Sequence, residues 1–122
     1  MKHLDFVLAL ALAFALPAAP ALAEFAPIRD RASFVATVQG RELAIPLLGI
    51  ALAVRADGSI GGSAQGQAVT GTWSWDAGYF CRTLSWGSRS WPLNCQLVET
   101  DGNRVRFTAD RGTGDQARFA LR

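Results

Sequence analysis

Cys81 and Cys95 are the residues of this chain best suited to a defined covalent chemistry. Thirteen residues separate them within strand-like sequence, and in an exported protein of this size that pattern points to a bridge between neighbouring antiparallel strands. Closing a loop of about 15 residues stabilises a small domain by about 3 kcal/mol on the chain-entropy argument. Redox and zinc chemistry fit poorly: there is no Cys-x-x-Cys, and two thiolates without histidine leave a tetrahedral zinc shell unfilled unless carboxylates join. No metal or cofactor is expected.

General acid–base chemistry has little to draw on. The one histidine is His3 and the one lysine is Lys2, both inside a segment expected to be removed. Met1 to His3 is weakly positive, Phe6 to Leu16 is an unbroken apolar run, Pro17 breaks it, and Ala21-Leu22-Ala23 is a small-x-small cleavage signal, with Asp5 as an unusual acid near the start. Residues 1–23 therefore read as a secretory signal peptide, too short in its apolar run for a membrane span, and residues 24–122 as one periplasmic or secreted domain. Without Lys2 and Asp5 the mature chain holds eleven arginines and nine acids, so its net charge stays at +2. So balanced a charge argues against a nucleic-acid binder. An enzyme built on this inventory would have to use carboxylates such as Asp110 and Asp115, or Tyr79. Aspartates beside glycines, however, are ordinary turn formers.

The elements that must position these residues follow from periodicity. Asp30 is a helix N-cap, Phe34 and Val38 lie four apart on one face, and Gly40 is the stop, which predicts a short helix near 30–39 that needs a sheet to lie against. From Arg41 the period changes to two. Strands are predicted at 41–45 (stopped by Pro46), 50–55, 59–65, 68–75, 79–86, 93–100, 105–107 and 117–121, with tight turns at Asp57-Gly58 and Asp101-Gly102. Gly61 and Gly62 suggest a bulge or a close backbone approach. The expected fold is all-β: a small antiparallel meander or barrel of seven to eight strands, calycin-like, with one short N-terminal helix.

The stretch from Gly71 to Val98 holds four tryptophans and both cysteines, and its register decides which side chains are core. A type I turn at Asp76-Ala77-Gly78 with Gly78 in a left-handed bulge pairs Trp75 with Tyr79 and Trp73 with Cys81. The bridge then packs under Trp73, and Phe80, Leu84 and Trp86 form an exposed apolar patch on the other side. A two-residue turn at Ala77-Gly78 instead sets Trp75 opposite Phe80 and Trp73 opposite Arg82, leaving Cys81 outside. The bulged register is the preferred reading, although a slip of one residue inverts every side chain. Phe80, Arg82, Leu84 and Trp86 are the candidate binding residues, either at a barrel mouth or as a surface patch.

Glu24-Phe25, Gly40-Arg41-Glu42-Leu43, the run from Gly71 to Trp86 with its Tyr79-Phe80-Cys81-Arg82, Asn94-Cys95-Gln96, and Arg106 to Gly112 together resemble a group of small exported alphaproteobacterial proteins of unestablished function. Members are sometimes labelled dihydrodipicolinate reductase. That label implies a nucleotide cofactor held by a strand, a glycine-rich turn and a helix, whereas Gly61-Gly62-Ser-Ala-Gln-Gly66 lies between predicted strands. Gly71-Thr72-Trp73 also resembles the glycine-x-tryptophan of lipocalins, several strands later than in that family. Small periplasmic protease inhibitors with a bridged eight-stranded barrel are similar in architecture.

The function expected is thus a non-catalytic binding or inhibitor module for an apolar ligand, an envelope component or a protein partner. The alternative is a small periplasmic enzyme. Arg104, Arg106, Arg118 and Arg122 are expected on one solvent face, where an anionic envelope component could bind.

Overall fold

Asp30 starts the helix in the way its side chain dictates: one carboxylate oxygen accepts the Ser33 N–H at 2.8 Å and the other the Ser33 hydroxyl at 2.9 Å. The computed structural model describes residues 24–122, so the signal-peptide reading of residues 1–23 lies outside the described residues. Helix α1 runs Arg31–Val38 and is followed by Gly40 at φ 72°. The strands are β1 (Ala26–Ile28), β2 (Leu43–Ile45), β3 (Ile50–Val54), β4 (Ser59–Ala64), β5 (Gln67–Asp76), β6 (Tyr79–Trp86), β7 (Arg89–Thr100), β8 (Arg104–Thr108) and β9 (Gln116–Leu121).

Strands β2 to β9 form a closed antiparallel barrel of eight strands, in the order β7-β6-β5-β4-β3-β2-β9-β8, with β7 pairing back to β8. Closure removes the open edges that a flat meander of these apolar strands would present. β1 is a ninth strand outside the barrel. It pairs with β7 through Ile28 and Val98 on the side that β6 has left free. Pro27 lacks an N–H and is tolerated at such an edge.

The register of the central hairpin corrects the preferred reading. Trp75 stands opposite Phe80, Ser74 opposite Cys81 and Trp73 opposite Arg82, so the turn is the two-residue one. Ala77 and Gly78 both adopt positive φ, 51° and 88°, the geometry whose twist matches the flanking strands. This register gathers the aromatics on the inner face. The ring centroid of Phe34, on α1, lies 5.2 Å from that of Trp73, 5.2 Å from Trp75 and 5.0 Å from Phe80. The bridge is therefore on the outer face and not beneath Trp73, and Phe80 is a buried core residue, not part of an exposed patch.

Cys81 and Cys95 are disulfide-bonded, directly opposite each other on β6 and β7. Two glycines explain themselves by close approach. A Cβ on Gly62 would collide with the Ala51 carbonyl and one on Gly71 with the Thr83 carbonyl. β3 and β4 keep a single register past Gly61 and Gly62, so there is no bulge there; Gly62 serves the close backbone approach, whereas a Cβ on Gly61 would meet only the Arg55 guanidinium.

Strand β7 starts at Arg89, four residues before the predicted start. Pro92 does not end it, because the ladder shifts there: Arg82 pairs with Asn94 but Leu84 pairs with Trp91, leaving Pro92 and Leu93 opposite Thr83. A bulge is one of the few places inside a sheet where a residue without an N–H fits.

Candidate functional site

The barrel holds an open-mouthed cavity of about 480 Å³, within the roughly 300–1,000 Å³ range of small-molecule sites. Its two ends differ. At the end carrying the β3–β4 and β5–β6 turns, α1 closes the lumen. Arg31 donates to the Ala56 carbonyl at 2.6 Å, the Trp75 indole donates to the Arg29 carbonyl at 3.3 Å, and Phe34 is fully buried among the rings it touches. Trp73 completes this base, its indole donating to the Arg55 carbonyl at 2.8 Å with the Arg31 guanidinium 5.1 Å from its ring. In an up-and-down barrel connections alternate between the ends, so β2–β3, β4–β5, β6–β7 and β8–β9 lie at the opposite end, and there the cavity opens between β7 and the β8–β9 connection, at Trp91, Pro92, Asn94, Asp110 and Asp115.

The wall is mainly apolar, with Leu52, Ile60, Phe80, Leu84, Phe107 and Phe119 among its residues. Three polar side chains interrupt it on one side, and each is positioned by the β6–β7 pairing. Arg82 faces Asn94 across the ladder, and Gln96 faces Phe80. Asn94 is clamped at the rim: its amide N–H donates to a carboxylate oxygen of Asp110 at 2.7 Å, while its own oxygen accepts the Asp110 backbone N–H at 3.0 Å. Asp110 and Arg111 hold left-handed backbone conformations, φ 54° and 55°, which cost of order 1–3 kcal/mol each and persist only where surrounding contacts fix them. The Asn94 clamp is such a contact.

Arg82 is the unusual member. Its guanidinium is half buried, and burial alone lowers its pKa from the ordinary arginine value. Its one hydrogen bond among the described residues runs from Nη1 to the Pro92 carbonyl at 3.3 Å, the carbonyl exposed by the bulge. The ion pairs among the described residues join Arg104 to Asp101, Arg106 to Glu99 and Arg122 to Glu42. Among the described residues no carboxylate lies within 4 Å of Arg82.

Of the four residues singled out from the sequence, Phe80, Arg82 and Leu84 line the cavity. Trp86 does not. Its indole donates to the Ala64 carbonyl at 2.9 Å, tying β6 to the end of β4. Trp91, Asn94 and Gln96 belong to the cavity wall without having been assigned a role from sequence. The alternation Asn94, Gln96, Val98, out of phase with Cys95, is the signal that places them inside. Asp110 and Asp115, the carboxylates an enzyme would need, both reach the rim. Among the described residues no group of three or more histidine, cysteine or acidic side chains could hold a metal ion, and no helix is long and apolar enough to cross a membrane.

The four outer arginines share the outer side of the β8–β9 pair, as expected, but do not form one open cluster. Arg104, Arg106 and Arg118 surround the Phe25 ring at 5.0, 4.3 and 6.0 Å from its centroid, whereas Arg122 pairs with Glu42 at 2.7 Å. The chain leading into β1 occupies that outer surface of β8 and β9. Comparison with protein-family models, with curated proteins and with solved structures finds no match to this chain.

Proposed function

We propose that the mature chain is an exported, non-catalytic binding module that takes an apolar ligand into its barrel lumen. The single observation that carries this reading is the open-ended, mainly apolar cavity of about 480 Å³, plugged at one end by Phe34 and unplugged at the other. A small domain can fill its barrel with side chains, as eight-stranded barrels often do, and this one leaves room. Export to an oxidising compartment is supported by the Cys81–Cys95 bridge and by the signal-like residues 1–23. Catalysis is disfavoured by composition, since no histidine, lysine or free thiol lies in residues 24–122.

The reductase activity that the resemblance implies gains no support from the geometry. Gly61 and Gly62 lie inside β4, paired with β3, and Gly66 lies in the turn to β5, so no glycine-rich turn leads from a strand into a helix there. An inhibitor role through an exposed Phe80-Leu84-Trp86 face also loses its basis, because Phe80 points into the lumen. The enzyme alternative rests on Asp110 and Asp115 sharing the rim.

The test is titration of the mature protein with the neutral fluorophore N-phenylnaphthylamine, read by probe emission and by Trp91 quenching. Saturable binding, lost in the lumen-filling variant Leu52→Trp while near-ultraviolet circular dichroism is kept, is the expected result. Absence of saturable binding to the wild-type protein would remove the lumen reading.

A further inference from the structure

From the lumen reading above, on which this rests, we infer that the ligand is an amphiphile with one acidic head group, and that Arg82 is the residue that receives the head. A half-buried guanidinium beside an apolar wall gives up part of its hydration, and a paired anion restores that loss. Among the described residues no acid pairs with it. No carboxylate approaches within 4 Å, and the Pro92 carbonyl takes one of the five N–H groups of the fork. A planar fork with most of its donors free, held at the side of a cavity, is matched by a carboxylate accepting two parallel hydrogen bonds.

Position strengthens the match. Arg82 sits on the inner face of β6 two residues from Phe80 at the base and two from Leu84 toward the mouth, so a head paired there leaves its apolar body against Ile60, Phe107 and Phe119. The bulge at Pro92 and Leu93 fixes the fork by presenting a carbonyl to it, the kind of local re-aiming that bulges provide beside sites. The two acids of the cavity do not cancel the charge. Asp110 is engaged by the Asn94 amide, and both Asp110 and Asp115 stand at the rim, more than 4 Å from Arg82, so their charge opposes an anionic head at the entrance without pairing with the guanidinium that receives it.

The experiment compares dodecanoate, used below its micellar concentration, with dodecanol, by displacement of N-phenylnaphthylamine from the mature protein. Charge-assisted pairing predicts that dodecanoate binds about ten- to a hundredfold more tightly than dodecanol. Arg82→Gln should erase that preference while leaving the affinity for dodecanol within about twofold, and Arg82→Lys should keep part of it. Thermal melting controls for folding. If the neutral fluorophore binds but dodecanol competes as well as dodecanoate, or if Arg82→Gln leaves the preference intact, the head-group assignment is overturned and the lumen reading stands. If the fluorophore itself does not bind, both fall together.

Discussion

The ring of Phe34 lies 5.0 Å, centroid to centroid, from that of Phe80, so helix α1 seals the barrel against the same strand that carries Arg82 two residues further along. Base and binding wall are thus one packed unit. Phe34→Ala removes a fully buried ring that contacts Trp73, Trp75, Phe80 and Phe107. The expected loss is about 3–5 kcal/mol, measured by urea unfolding. Retention of wild-type stability would mean that α1 is not docked.

The bridge makes a chemical prediction. Thiol titration of the exported protein under denaturing, non-reducing conditions should find no free thiol. The double variant Cys81→Ser/Cys95→Ser should lose about 3 kcal/mol and keep the barrel's circular dichroism. Two titratable thiols per chain would remove the bridge and weaken the argument for an oxidising compartment.

Trp86 and Arg82 share β6 but should separate in their effects. Trp86→Phe removes the indole bond to the Ala64 carbonyl and is expected to cost about 1 kcal/mol of stability. N-phenylnaphthylamine affinity should not change. A loss of probe affinity at unchanged melting temperature would place Trp86 in the site.

Asp30 gives a pH dependence whose sign is fixed by its bonds. The backbone and side chain of Ser33 hold its carboxyl below the ordinary value of 3.8. Its contribution is therefore fully present above that value and is lost as pH falls through the lower native one. Between wild type and Asp30→Ala, the gap in melting temperature should be constant at neutral pH and close in strong acid. A gap that widened on acidification would contradict the capping role.

Gly62 and Gly66 offer a paired test of backbone space. Both have positive φ, 128° and 79°, but a Cβ at Gly66 meets nothing within 4 Å whereas one at Gly62 would strike the Ala51 carbonyl. Gly66→Ala should cost about 1 kcal/mol from conformation alone, and Gly62→Ala clearly more. Equal costs in denaturant unfolding would show that β3 yields at that point.

The amino-acid sequence by itself determined the local grammar of this protein. The Asp30 cap and the Phe34–Val38 face specified α1, alternation specified eight strands, and aspartate-glycine pairs specified two of the turns. The cysteine spacing was enough to pair Cys81 with Cys95. β1 was not legible, because three residues around Pro27 carry no periodicity and pair only with an edge that exists once β7 is in place. Strand β7 was read too short for a related reason: proline is a stop signal locally, and only the ladder reveals a bulge that accommodates it.

The tertiary structure alone decided which face of the central hairpin is inside. β5 has one apolar face, Val69, Trp73 and Trp75, but on β6 both faces mix polar and apolar residues, Phe80, Arg82 and Leu84 against Tyr79, Cys81 and Thr83, so local pattern leaves a one-residue slip of β6 undetermined. Docking Phe34 against Trp73, Trp75 and Phe80 resolved it, since those rings share a face in only one register. That choice turned Arg82 from a surface charge into a lumen residue facing Asn94. The candidate site therefore depends on two events of different range: the long-range pairing of β2 with β9, Leu43 opposite Leu121, closes the barrel, and the local β7–β8 hairpin sets Asn94 beside Asp110, sixteen positions along the chain.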